Sequence, residues 1–281
     1  MRDFRRINSH TLWMVAVLSV IAVLFAITRT AAFGSAADAI WPEFSMGDLV
    51  VDGNLGLDMT HAQDGYVICC AMAPTPNRLK LQMVYGGSVQ LMYDLSNNGA
   101  AEIFPLQMGS GDYVFSLFEN VDGSKYAAAG QIGFSAGLAD ENAAFLVPNQ
   151  YVNYTQDSPS VQKSDELSGG CSQQEIFQAV CDFMTAEFSY DFVRAQSISP
   201  GELPEIDSCF EQRSGICQDL AAVMVSMLRV QGIPSKLVIG YADGYYHAWT
   251  SSIVDGEEVF FDPTAAINAI QAGSYQVERF Y

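Results

Sequence analysis

SGICQDLAAVMVSMLRVQGIPSKLVIGYADGYYHAWTSSIVDGEEVFFDPT, residues 214–264, is the stretch whose reading decides the fold. It carries one cysteine (Cys217), one histidine (His247) and a candidate aspartate (Asp262) in that order, each at the edge of an expected element. After Cys217, the residues Leu220, Val223, Met224, Met227 and Leu228 recur at helical spacing. Gly232 and Pro234 then stop the helix. Cys217 therefore falls on the first helical turn, where unpaired backbone N–H groups and the positive end of the helix dipole favour a thiolate. That position makes it a candidate nucleophile.

Lys236 to Tyr241 reads as a strand. Two Asp-Gly turns, Asp243-Gly244 and Asp255-Gly256, bracket a second strand bearing His247 and lead to a third that reaches Asp262. The register follows from the turn: if Asp255 and Gly256 are its two central residues, Val254 faces Glu257 and Trp249 faces Asp262. His247 and Asp262 are then diagonal neighbours on one face, with Cα atoms roughly 7–8 Å apart. A carboxylate there can hold the imidazole, and the imidazole can take the thiol proton. Trp249, two positions along, is either a shield for that pair or an ordinary core aromatic.

The runs G-I-C-Q-D, L-R-V-Q-G-I-P-S-K-L-V-I-G-Y, Y-H-A-W and F-F-D-P-T, in this order, resemble the core of the transglutaminase-like superfamily of cysteine enzymes. The resemblance covers about the last hundred residues. It implies a papain-like core, a helix packed on an antiparallel sheet, with a triad of Cys217, His247 and Asp262. Secreted members of that family often place a β-rich domain ahead of the catalytic one. The chain has three histidines, His10, His61 and His247, so imidazole chemistry in the C-terminal half falls to His247.

Residues 1–36 have the form of a signal peptide or a membrane anchor. Arg2, Arg5 and Arg6 precede an apolar run from Thr11 to Ile27, expected to be helical, which is long for the one and short for the other. Either way the remainder is expected outside the cell, secreted or anchored by that helix if it is not cleaved. The net charge is −19, and removing the four basic and one acidic residues of the first 29 takes it to −22. Such a surface repels nucleic acid.

From 46 to 149 the pattern changes to short alternating strands. Leu79, Leu81, Met83 and Tyr85 form one face, and Val89, Leu91, Tyr93 and Leu95 another, punctuated by Gly86-Gly87, Asn97-Asn98-Gly99 and Asp122-Gly123. About seven strands in a hundred residues predict a β-sandwich-like domain. Residues 150–170 are polar and read as a linker. A capping box at Ser172 to Glu175 opens a helix carrying Ile176, Val180, Phe183 and Met184, so the catalytic domain is expected over 171–281. The segment from Phe192 to Arg213 reads as a loop leading to the nucleophile.

The five cysteines besides Cys217 are an odd number, against a complete disulfide framework. One bridge among Cys171, Cys181 and Cys209 stays open, and the adjacent Cys69 and Cys70 read as core. No paired C-x-x-C or phosphate loop occurs, so neither cofactor nor metal is expected. The sequence thus predicts an α+β protein, an extracellular transglutaminase-like cysteine enzyme acting on peptide or protein amides, cell-surface or cell-wall ones included. A peptidase of the same fold and an inactive surface scaffold are the alternatives.

Overall fold

The computed structural model describes residue 36, residues 39–270 and residues 273–281. The apolar helix expected between Thr11 and Ile27 lies outside them. Among the described residues, no helix is long and apolar enough to cross a membrane.

The N-terminal half is built of eight strands: β1 (Leu49–Asp52), β2 (Leu55–Asp58), β3 (Tyr66–Ala71), β4 (Leu79–Tyr85), β5 (Val89–Leu95), β6 (Glu102–Pro105), β7 (Gly111–Asp122) and β8 (Lys125–Ala136). They form two antiparallel four-stranded sheets, ordered β1-β2-β3-β6 and β5-β4-β7-β8. Alternation explains the second sheet, since Leu79, Leu81 and Met83 are buried while Lys80, Gln82 and Val84 are half-exposed. Both sheets feed one buried cluster, Leu55, Leu57, Val67 and Cys69 from the first meeting Leu81, Met83, Phe115 and Leu117 from the second. Cys69 and Cys70 are both buried, and all six cysteines are free thiols.

The C-terminal half begins with α1 (Pro159–Ser168) and α2 (Gln173–Glu187), followed by β9 (Ser189–Tyr190), α3 (Phe192–Ala195), α4 (Ile206–Gln212), β10 (Ser214–Gly215) and α5 (Cys217–Arg229). Three strands come next, β11 (Ser235–Ala242), β12 (Tyr245–Val254) and β13 (Glu257–Phe261), then α6 (Pro263–Ile267) and β14 (Tyr275–Phe280). The sheet is antiparallel throughout in the order β13-β12-β11-β14, and α5 packs across β11 and β12. Every α5 residue from Asp219 to Arg229 is buried, because elements cover it on all sides. Both Asp-Gly turns put positive φ on their two central residues, 49° and 83° at Asp243 and Gly244, 51° and 84° at Asp255 and Gly256. This is the hairpin geometry that fits the twist of the flanking strands. Val254 pairs with Glu257 and Thr250 with Phe261, the register expected from the turn.

Two expectations are corrected. The span read as a linker, 150–170, contains α1, which polar composition concealed. Its serines face inward: Ser164 Oγ donates to the Met227 carbonyl (2.6 Å), and Ser160 Oγ accepts from Ser226 Oγ (2.9 Å). The segment read as a loop, Phe192 to Arg213, holds α3 and α4, each too short to show a hydrophobic period. Pro200, Gly201 and Pro204 break the chain only between them.

The two halves are pinned together by Arg229. This fully buried side chain donates to three carbonyls, Val147 (2.5 Å), Ser235 (2.8 Å) and Tyr281 (2.9 Å). Burial holds its pKa down near 10. Gln107 also donates to the Phe280 carbonyl (2.9 Å), and Tyr151 stacks on Tyr281 with ring centroids 3.6 Å apart. The end of β14 is thus held from both sides.

Candidate active site

Cys217 is the first residue of α5, and β9 and β10 fix its approach: Ser189 pairs with Ser214 and Tyr190 with Gly215, in parallel. The turn into the helix is held by Asp219. Its fully buried carboxylate accepts from the Ile216 N–H (3.0 Å), the Glu205 N–H (3.2 Å) and Arg194 Nη1 (2.6 Å). Burial raises the pKa of Asp219, against the lowering by those N–H groups and by Arg194. The guanidinium and the amides therefore offset the desolvation of an acid that has no exposed surface.

His247 lies on β12 opposite Gly240 of β11. Its Nε2 is 2.8 Å from Asp262 Oδ2. An ionised carboxylate only accepts, so Nε2 carries the hydrogen and Nδ1 is left for the thiol. Asp262 leaves the ladder just past Phe261 and caps α6, Oδ1 accepting from the Ala265 N–H at 3.0 Å. Tyr275 at the start of β14 donates to the same Oδ2 from 2.8 Å. Asp262 is buried, which works to raise its pKa, yet its bonds with His247, Ala265 and Tyr275 bring it below the ordinary value.

For His247, burial is the largest single influence and lowers the pKa. Hydrogen bonding and charge from Asp262 and Cys217 together override it, raising the pKa from 6.5 to about 9. The His247 ring therefore holds its proton at neutral pH. Trp249 lies beside His247 (centroids 6.3 Å, planes 28° apart) and packs edge-on to Tyr275 at 5.0 Å; only 2% of its surface is exposed. It screens the His247–Asp262 pair from water as much as it fills the core.

Cys217 and His247 open into a cleft of about 540 Å³ lined also by Tyr190, Ile198, Gln218 and Tyr246. The buried thiols Cys181 and Cys209 are pushed up to about 12 by burial, whereas Cys217 is half-exposed at the cleft floor. Among the described residues, no group of three His, Cys, Asp or Glu side chains is placed to hold a metal.

The structure brings together all three residues expected from sequence and adds Tyr275, Asp219 and Arg194. Asp219 stood in plain view two residues after Cys217, in the first turn of the helix, where a carboxylate reaches back to the preceding N–H. Tyr275 carried no local signal. It depends on Asp243, whose carboxylate accepts from the Gly273 N–H (2.9 Å) and the Ser274 N–H (2.9 Å) and so fixes where β14 begins.

Residues 162–263 match the family model of the transglutaminase-like superfamily, so this part of the chain is a transglutaminase-like domain. Solved structures with some similarity include a protein from Cytophaga hutchinsonii described as a candidate cysteine protease (15% identity, 74% of this chain and 80% of that one, TM-score 0.39). Others are a TGase (17%, 41% and 32%, TM-score 0.34) and red sea bream transglutaminase (15%, 71% and 48%, TM-score 0.29). No curated protein matches the chain.

Proposed function

We propose that the chain is a cysteine acyltransferase or hydrolase that cleaves peptide or protein amides through Cys217, His247 and Asp262. The observation that carries this reading is the 2.8 Å Asp262–His247 bond beside Cys217 at the start of α5, with the imidazole pKa near 9. Cys217 Sγ attacks the amide carbonyl, and the oxyanion develops beside the Cys217 N–H, which has no partner within the helix. The imidazolium of His247 gives its proton to the departing amine, the C–N bond breaks, and a thioester remains. An amine or a water molecule, deprotonated by His247, then attacks the thioester and restores the thiol. Asp262 keeps Nε2 protonated throughout and stabilises the imidazolium.

The leader pattern at residues 1–36 and the charge of −22 beyond residue 29 support a location outside the cell, secreted or anchored. The partner is then an extracellular or cell-wall peptide or protein. Peptidase action differs only in the second acceptor. A surface scaffold without turnover needs none of the buried bonding around Asp262.

The test is incubation of the chain with a labelled primary amine and a glutamine-containing protein. Label incorporation lost in Cys217→Ala supports transfer, and new carboxyl groups or peptide ends lost in the same variant support hydrolysis. Neither product from the wild-type chain removes the enzymatic reading.

A further inference from the structure

Nine Arg and Lys follow residue 29, and nearly all have a structural partner. Arg78 and Lys80 pair with Asp94, Lys163 with Glu166, Lys236 with Glu258 and Arg194 with Asp219. Arg213 lies over the rings of Phe183, Phe188 and Phe210, and Arg229 is buried on carbonyls. Lys125 opens β8, in the N-terminal half. Arg279 is the one among them that lines the cleft holding Cys217 and His247.

Its placement follows from the register. Arg279 on β14 stands opposite Ile239 of β11, which stands opposite Ala248 of β12, the residue after His247. These three residues cross the sheet in one row and all line the cleft. Two strand spacings put the Arg279 backbone roughly 10 Å from the strand of His247, and the long side chain shortens that gap. Nη2 donates to the Tyr246 hydroxyl (2.5 Å) and Nη1 to Glu278 (2.9 Å), while the Nε–H is buried with no partner among the described residues. Glu278 is its chain neighbour and exposed, so it compensates the charge only as a solvent-screened pair does. Glu202, the acidic residue lining the same cleft, lies 3.8 Å from Arg194. In a chain with 32 acidic and 13 basic residues, the cleft therefore presents an under-compensated planar cation. A guanidinium with unspent donors matches a carboxylate in shape and charge.

We propose that Arg279 binds a carboxylate of the acyl substrate, so that the cleft selects amides with a carboxylate within about two strand spacings of the scissile carbonyl. This inference rests on Cys217 being the reacting thiol. The carboxylate comes either from a chain end or from an acidic side chain.

Paired alkylation tests it. Iodoacetate and iodoacetamide differ in the carboxylate, and peptide mapping reads their rates at each cysteine of the full chain. The iodoacetate-to-iodoacetamide ratio at Cys217 is expected to be about fivefold above that at the half-exposed Cys171, and to collapse toward it in 1 M salt. Arg279→Gln is expected to remove that advantage and Arg279→Lys to keep part of it, with iodoacetamide dividing out any change in the thiol itself. A wild-type ratio equal to that of Cys171, or one indifferent to Arg279→Gln, overturns the assignment even where Cys217 is the fastest thiol. A Cys217 that reacts no faster than Cys171 with either reagent removes the enzymatic reading as well. Three blocked glutamine peptides identify the source by protecting Cys217 from iodoacetamide: one with a free carboxyl end, one amidated, and one amidated with an added glutamate. Protection by the first alone assigns a chain end, protection by the third alone assigns a side chain, and equal protection by all three or none overturns the proposal.

Discussion

Replacing Asp262 by Asn separates the charge that holds His247 from the shape that surrounds it. In the native site the imidazole pKa rises from 6.5 to about 9 even though burial alone lowers it. That net lift corresponds to about 3 kcal/mol in favour of the imidazolium. Asp262 supplies both a hydrogen bond and a charge at 2.8 Å, and an opposite charge at that range is worth about 1–3 pH units. In Asp262→Asn the titration midpoint of His247 is therefore expected to fall by about two pH units. With three histidines in the chain, the ring carbon resonance of His247 is resolvable by NMR titration. The alkaline limb of amide cleavage should move with it, because the leaving amine takes its proton from this ring. The same shift sets a stability window. The raised His247 contributes its stabilisation in full below 6.5, and loses it as pH rises through about 9. The lowered Asp262 contributes above its unfolded value and loses that as pH falls through its folded one. Stability from the pair is thus greatest between about pH 4 and 6.5. A wild-type midpoint at or below 7, or one unmoved by Asp262→Asn, would refute the reasoning.

Other outcomes follow from the same bonds. Tyr275→Phe removes one of two donors to Asp262 Oδ2 and should cost about 1.5 kcal/mol in a urea melt, with cleavage slowed about tenfold. Arg194→Ala leaves Asp219 buried and uncompensated beside the Ile216 N–H; denaturant titration should show a loss of about 3 kcal/mol, and Asp219→Asn in the same background should restore part of it. Gly240→Ala places a Cβ 2.0 Å from the Gln276 carbonyl oxygen, where β11 and β14 have a bulge. It should destabilise by about 3 kcal/mol and also lower cleavage, since β14 carries Tyr275; a melting curve like that of wild type contradicts this.

What was legible in the sequence was local. The α5 period, the two Asp-Gly turns and the odd pairing sum they impose are short-range, and they sufficed to put His247 and Asp262 on one face. The polar helix α1 was not legible, because small serines make its contacts with α5 and serine carries no hydrophobic period. Tyr275 reaches Asp262 from a strand paired with β11, across a segment whose sequence gives no register. Arg279 carried no signal in the sequence either, and the same pairing places it in the cleft. From the N-terminal half, Val147 and Gln107 bind the residues around the end of β14 and so help to set where Tyr275 and Arg279 stand.

The central claim is that Cys217 Sγ becomes acylated. Rapid quenching of the full chain with a glutamine-containing peptide, followed by intact mass and peptide mapping, reads this directly. The expected result is an added acyl group, with loss of ammonia, on Cys217 alone, absent in Cys217→Ala and slow to form in His247→Ala. Acylation elsewhere, or product formed at an undiminished rate by Cys217→Ala, contradicts the account.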